Sequence, residues 1–319
     1  MLDRQENVTE PSHLAADSAV SRVTVRVPAT VANMGPGFDC IGVALDIWNE
    51  LTVERGAFSV SVSGDGEESL PRDERNLVVR GLRAAFASRQ EKVPEVRYIC
   101  RNDIPYSRGL GSSSAAIVAG LLAGFALLDH APEPRDVLDL AADIEGHPDN
   151  VAPAILGGCQ IGVHSGEHWI TSRVPLPQKL KAVVMAPDVE GETAEARALL
   201  ATEVSRADAV FNIGRAALLV NALCSGQLEL LKDATEDRLH QPARSRVYRS
   251  LNTVIRAAMT GGAKGAFLAG AGPAVMALTA GREYTVAYEM TEAARLHGID
   301  AKTRVVSPSD RGGHIVEME

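Results

Sequence analysis

Val23, Val25 and Val27 alternate with Thr24 and Arg26, which is the period of a half-buried strand. The same alternation among serines at Phe58, Val60 and Val62 predicts a second strand, and residues 96–100 predict a short third. Leu77, Leu82 and Phe86 recur at helical spacing within residues 76–90. Residues 112–128 are small and apolar on every side, so they predict a helix buried all round. Residues 138–145 continue in helical spacing. Further along, 180–185 reads as a strand, and 194–201, 207–223 and 247–259 read as helices. Two strands, 266–268 and 275–278, flank a glycine turn, and a helix at 284–296 and a strand at 301–306 follow.

Helices and strands mix here without a repeated βαβ unit. That predicts an α+β fold in layers rather than a doubly wound sheet. Pro175 and Pro177, in a polar stretch after Trp169, mark the best boundary. They divide the chain into a first domain at 22–174 and a second at 175–319. Residues 1–21 are polar, rich in acid and without the apolar core of a signal peptide, so they read as a disordered or loosely ordered extension.

Composition narrows the function. The chain has 319 residues, 45% hydrophobic and 23% charged, enough for a full core. Aromatics are 4%, so Ala, Val and Leu must fill that core. A net charge of −9 with no basic cluster argues against a nucleic-acid partner. No stretch reads as the roughly 18 apolar residues that a bilayer needs, so no membrane partner is expected. Cys40, Cys100, Cys159 and Cys224 form no CxxC pair and read as reduced, mostly buried thiols of a cytoplasmic protein.

The segment richest in chemistry is Ile104-Pro105-Tyr106-Ser107-Arg108-Gly109-Leu110-Gly111-Ser112-Ser113-Ser114-Ala115-Ala116. Two glycines let the backbone turn sharply and approach a ligand, and three serines open the buried helix. A helix start leaves N–H groups unpaired and its dipole favours an anion. Serine hydroxyls add donors, so the parts together suit a phosphate. A Walker A loop would need a lysine after Gly111, and a dinucleotide fingerprint would need glycine where Ser114 stands.

That string resembles the nucleotide loop of the GHMP kinases. Pro28-Ala29-Thr30-Val31-Ala32-Asn33-Met34-Gly35-Pro36-Gly37-Phe38-Asp39 and Gly270-Ala271-Gly272-Pro273 agree with it in the same order. Within the family the homoserine kinases are most similar. Their likeness rests on residues 33–39, on Glu145-Gly146-His147-Pro148-Asp149-Asn150-Val151-Ala152-Pro153, on Thr193-Ala194-Glu195-Ala196-Arg197 and on Leu239-His240-Gln241-Pro242-Ala243-Arg244.

The resemblance implies a ribosomal protein S5-like nucleotide-binding first domain and a ferredoxin-like second, with the active site between them. It implies ATP and Mg²⁺, a small hydroxy amino acid as partner and, by analogy, a homodimer. Pro105, Arg108, Gly109, Leu110, Gly111, Ser112, Ser113, Ser114 and Ala115 would meet the nucleotide. Ser112 and Glu145 would hold the metal. Asn33 and Asp39 would meet the substrate, with Asp39 on its ammonium, while Arg197 and Arg244 take its carboxylate. His147, Asp149 and Asn150 would stand at the reacting hydroxyl, either with Asp149 as a base or with Asn150 only positioning the oxygen. His240 stays outside this expected set. The family usually carries Ser-Gly-x-Gly-Pro-Thr where this chain has Ala269 and Ala274 at the two ends. That departure leaves open a related hydroxy amino acid or amino alcohol as acceptor, or a non-catalytic relative that binds ATP or a metabolite.

Overall fold

The computed structural model describes residues 20–191 and 193–319. The expected loose extension over 1–21 therefore lies outside the described residues, apart from Val20 and Ser21. Two sheets organise the chain, as an α+β fold requires.

The first sheet has seven strands. β1 (Arg22–Asn33) and β2 (Gly37–Arg55) form a long antiparallel hairpin. β3 (Ser59–Gly64), helix α1 (Leu77–Ser88) and β4 (Val96–Asn102) follow, with β3 and β4 parallel. α2 (Ser112–Leu127), α3 (Pro134–Glu145) and α4 (Pro148–Leu156) lead into the hairpin β5 (Cys159–Ser165) and β6 (His168–Val174). The 19 residues of β2 were not anticipated. Its far half pairs β4, and its near half pairs β5. Helix α2 is buried on every side, as its composition demands, and α1 and α3 pack around it.

The second sheet is built from β7 (Lys181–Pro187), a helical stretch, β8 (Gly265–Leu268), β9 (Val275–Thr279), and β10 (Ala301–Val306). Between β7 and β8 lie α5 (Thr193–Ala198), α6 (Arg206–Ser225), α7 (Leu231–Ala234), α8 (Gln241–Arg244) and α9 (Leu251–Gly261), and α10 (Glu283–Leu296) joins β9 to β10. The order β10-β7-β9-β8, all antiparallel, with α9 and α10 as crossovers, is the split βαβ arrangement. The chain then crosses back: β11 (His314–Met318) pairs β1 in the first sheet.

Helix α6 departs from the sequence expectation on membranes. Over its best 18-residue window this 20-residue helix reaches a mean hydropathy of 1.3, long and apolar enough to cross a bilayer by length and composition. It nevertheless carries Arg206, Asp208 and Arg215, and it packs Leu219, Ala222 and Leu223 into the core. The thiols differ as well. Cys100 and Cys159 are buried, but Cys40 and Cys224 are exposed.

Candidate active site

Gly111 caps the start of α2 in the left-handed region, at φ 69°, and no side chain bonds the first amides of the helix. Those N–H groups open onto a cavity of about 330 Å³, lined by strands and helices of the first half of the chain and by Gly191, Arg197, Arg244, Gly270 and Ala271 of the second. Gly109, Leu110, Gly111, Ser112, Ser113 and Ala115 all line it. Both glycines hold the left-handed turn expected of them, at φ 81° and 69°, and crowding adds a second reason for glycine. A Cβ on Gly109 would fall 2.1 Å from the Ala269 carbonyl oxygen, and one on Gly111 would fall 1.9 Å from Thr30 Oγ1. The loop is pressed between β1 and the turn before β9, and only glycine fits there.

Three residues of the expected nucleotide set point elsewhere. Pro105 and Ser114 are buried and do not line the cavity. Arg108 lines it but turns its guanidinium away, with Nε donating to the Pro187 carbonyl at 2.7 Å and Nη1 to that of Tyr106 at 2.6 Å. Asn49, Leu51, Leu70, Pro71 and Cys100 also line the cavity, a mostly apolar set of the kind that surrounds a flat ring. That set was not anticipated, because its residues sit on separate elements with no local signature.

Glu145 ends α3 opposite the serines. Ser113 Oγ and Ser114 Oγ both donate to its Oε1, at 2.7 and 2.8 Å. Ser112, the expected partner, makes no bond to Glu145 but lines the same cavity. Among the described residues no three His, Cys, Asp or Glu side chains converge on a metal-sized site. Mg²⁺ asks for less, since it usually keeps several waters and takes one or two carboxylates beside substrate phosphates. One carboxylate flanked by serine hydroxyls next to a helix N-terminus fits that ion.

Helix α4 starts at Pro148, directly after His147. It carries Asp149, at 1% exposure, and the half-buried Asn150. His147 Nδ1 and Asp149 Oδ1 lie 2.6 Å apart. Burial opposes a charge on His147, but the Asp149 hydrogen bond and the carboxylates of Asp149, Glu145 and Asp39 outweigh it, so its pKa is raised. Asn150 Oδ1 accepts from the Thr30 hydroxyl at 2.8 Å.

Asp39, Arg197 and Arg244 all line the cavity. Arg197 grips Asp39 through two bonds of 2.9 Å. Asn33 Oδ1 accepts from the Asp39 amide, and Asn33 Nδ2 donates to the Gly270 carbonyl. Asn33 and Asp39 hold left-handed backbones, at φ 72° and 56°, which Asn and Asp tolerate better than most side chains. Arg244 is 2% exposed; its Nη1 reaches Gly270 O at 3.1 Å and His240 Nδ1 at 3.0 Å. His240, left out of the expected set, is fully buried behind Arg244. Burial lowers its pKa, and its Nε2–H donates to the Gly35 carbonyl, which leaves Nδ1 free to accept from Arg244. Phe38 stacks on His240 with ring centroids 5.2 Å apart. Ala269 and Ala274 are both fully buried and line no part of the cavity, whereas Gly270 and Ala271 do.

This geometry suits an anion at one end, a zwitterion at the other and a hydroxyl between them. Residues 76–158 match the family described as GHMP kinases N terminal domain, and residues 219–296 match GHMP kinases C terminal. A homoserine kinase of Microchaete diplosiphon is 42% identical over 299 residues, covering 92% of this chain and 97% of the relative. One from Desulfitobacterium hafniense is 39% identical over 296 residues, covering 92% and 100%. The crystal structure of homoserine kinase from Cytophaga hutchinsonii superposes with a TM-score of 0.84 at 28% identity, covering 95% of this chain and 100% of that one. L. major mevalonate kinase, solved with R-mevalonate, shares the fold at a TM-score of 0.68 and 15% identity over 92% of this chain and 98% of that one.

Proposed function

The chain belongs to the homoserine kinases of the GHMP kinase family, and from that premise we propose how its residues move a phosphoryl group from ATP to the hydroxyl of L-homoserine. One observation carries the reading: Asp39, Arg197 and Arg244 gather opposite charges at one end of a cavity whose other end is the open N-terminus of α2. A free amino acid bears an ammonium and a carboxylate, so it can replace each partner of the Asp39–Arg197 pair with its own opposite charge. Its ammonium takes Asp39, and its carboxylate takes Arg197 and Arg244.

The side chain of the substrate then runs towards Asn150. Gly109 to Ser113 and the first amides of α2 hold the phosphates. Glu145, with Ser112 and Ser113, would hold Mg²⁺, which neutralises charge on the phosphates when bound. Attack forms the bond from the homoserine oxygen to the γ-phosphorus and breaks the bond from that phosphorus to the β-bridging oxygen. ADP leaves. Positioning and charge stabilisation supply most of such a rate. Asn150 orients the hydroxyl and takes no proton, since an amide cannot. The hydroxyl proton passes late, to a phosphoryl oxygen. The bond from His147 to Asp149 supports this, because it engages the one buried carboxylate near the reaction.

The proposal treats the cavity as a cleft between two domains, the first spanning 22–174 with β11 returned to it and the second starting at 175. It also includes a cytoplasmic location and a homodimer, which light scattering tests. Coupled ADP release tests the activity itself, with homoserine, 3-aminopropanol and a panel of hydroxy amino acids. Homoserine should turn over fastest, and phosphorus NMR should show its O-phosphate. A different best acceptor would move the reading to a related kinase, and release with none would leave an ATP-binding sensor. Ala269 and Ala274 are buried and do not line the cavity, which gives those alternatives no added support.

A further inference from the structure

Thr30 lies on β1 where the strand, the phosphate loop and the start of α4 meet, and it is fully buried. Its backbone N–H donates to the Leu110 carbonyl at 3.1 Å. Its hydroxyl donates to Asn150 Oδ1 at 2.8 Å. Gly111 packs over it so closely that an added Cβ would fall 1.9 Å from Thr30 Oγ1.

A buried hydroxyl is held to its acceptor because water cannot replace the bond. An asparagine amide has nearly the same shape in both orientations, yet one end accepts and the other donates. With Oδ1 held by Thr30, the end that Asn150 offers the cavity is its NH₂. That group can donate to the acceptor hydroxyl oxygen. One lone pair is then fixed, the other stays free for phosphorus, and the O–H stays free to point at a phosphoryl oxygen. A flipped amide would present a carbonyl oxygen instead, which repels phosphoryl oxygens.

We propose that Thr30 is a positioning residue for phosphoryl transfer: its hydroxyl sets the orientation of the Asn150 amide, and its backbone ties that amide to the phosphate loop. The proposal rests on the reading that Asn150 meets the acceptor hydroxyl. It adds a residue that acts through Asn150 without touching substrate.

The test is a double-mutant cycle with Thr30→Ala, Asn150→Ala and both together, with Thr30→Ser as the conservative variant. Melting temperature and both KM values are measured beside kcat. Losing the hydroxyl should lower kcat about tenfold, the scale of one hydrogen bond, while both KM values stay near wild type. Thr30→Ser should keep most of the rate, since it keeps the donor. The double variant should be no slower than Asn150→Ala alone, because Thr30 works only through that amide. Thr30→Val, which keeps the volume, replaces Thr30→Ala should the latter not fold.

A normal kcat in Thr30→Ala would overturn the proposal. So would a Thr30→Ser variant as slow as Thr30→Ala, which would point to lost packing, or additive losses in the double variant. Asn150→Ala at wild-type rate would sink the site reading and this proposal with it. An impaired Asn150→Ala beside an unimpaired Thr30→Ala would sink this proposal alone.

Discussion

Arg197 and Arg244 face the same substrate group in very different surroundings. The Arg197 side chain is 44% exposed, and its pair with Asp39 contributes little to stability. Arg197→Ala should therefore fold normally and raise KM for homoserine about ten- to a hundredfold, the scale of a lost charge-assisted bond. KM for ATP should hardly change, and the preference for homoserine over 3-aminopropanol should fall. Steady-state kinetics with both acceptors checks this. Arg244 is a poorer probe. It is 2% exposed and holds Gly270 and His240, so removing it unsettles the turn as well as the substrate. His147 gives a second prediction. Its raised pKa means that the His147–Asp149 pair stabilises the fold fully below the ordinary histidine pKa of about 6.5. That contribution is lost as pH rises through the raised folded value. In Asp149→Asn the main raising partner is gone and burial remains, so the His147 pKa should drop. An NMR titration of the ring C2 proton reads it directly. The gap in melting temperature between wild type and variant should narrow from pH 6 to pH 9.

Among the elements, α1 and α2 approach closely where Gly81 meets Gly120. A Cβ on Gly120 would fall 2.2 Å from the Val78 carbonyl oxygen, and one on Gly81 would fall 2.3 Å from that of Ile117. Neither helix can yield, since α2 is packed on every side. Gly120→Ala should gain helix propensity yet lose about 1–3 kcal/mol to overpacking. Its melting temperature should fall by several degrees, which calorimetry can measure. Gly120 does not line the cavity, so the folded variant should keep its KM for ATP. A melting temperature at or above wild type would mean that the helices sit further apart. The α4 start shows the other use of an element. Its first turn places Asp149 inward at 1% exposure and leaves the half-buried Asn150 beside it on the cavity, so the helix itself separates the two neighbours.

At the scale of the whole molecule, the last strand ties the end of the chain to its first sheet. β11 covers one edge of β1 through four register pairs, although Ile315, Val316 and Met318 are themselves exposed. Ending the chain after Gly313 would leave the β1 amides and carbonyls unpaired along that edge. An open edge is a template for another strand. The truncated protein should melt earlier and associate on size-exclusion chromatography, while its KM for ATP stays close to that of the full chain. A truncated protein that stays monodisperse and melts at the wild-type temperature would make β11 an ornament on the sheet.

Local pattern was enough for much of this. The buried character of α2 follows from residues that are apolar on every side, and β7, β9 and β10 follow from short apolar or alternating runs. The nucleotide loop and the segments bearing Asp39, Glu145, Arg197 and Arg244 were legible through resemblance, since their spacing alone carries no such message. The β5–β6 hairpin and β2 were missed because glycines and polar residues interrupt their alternation. The rest needed the folded chain. Arg197 meets Asp39 across 158 positions, and Thr30 meets Asn150 across 120. Gly109 and Gly111 must be glycine partly for the loop's own left-handed turn and partly because Ala269 and Thr30 press on them, which no local pattern records. Periodicity records which face of an element is buried, because that depends on neighbours a few residues away. Which partner waits on that face depends on how distant segments pack, and only the tertiary structure decides it.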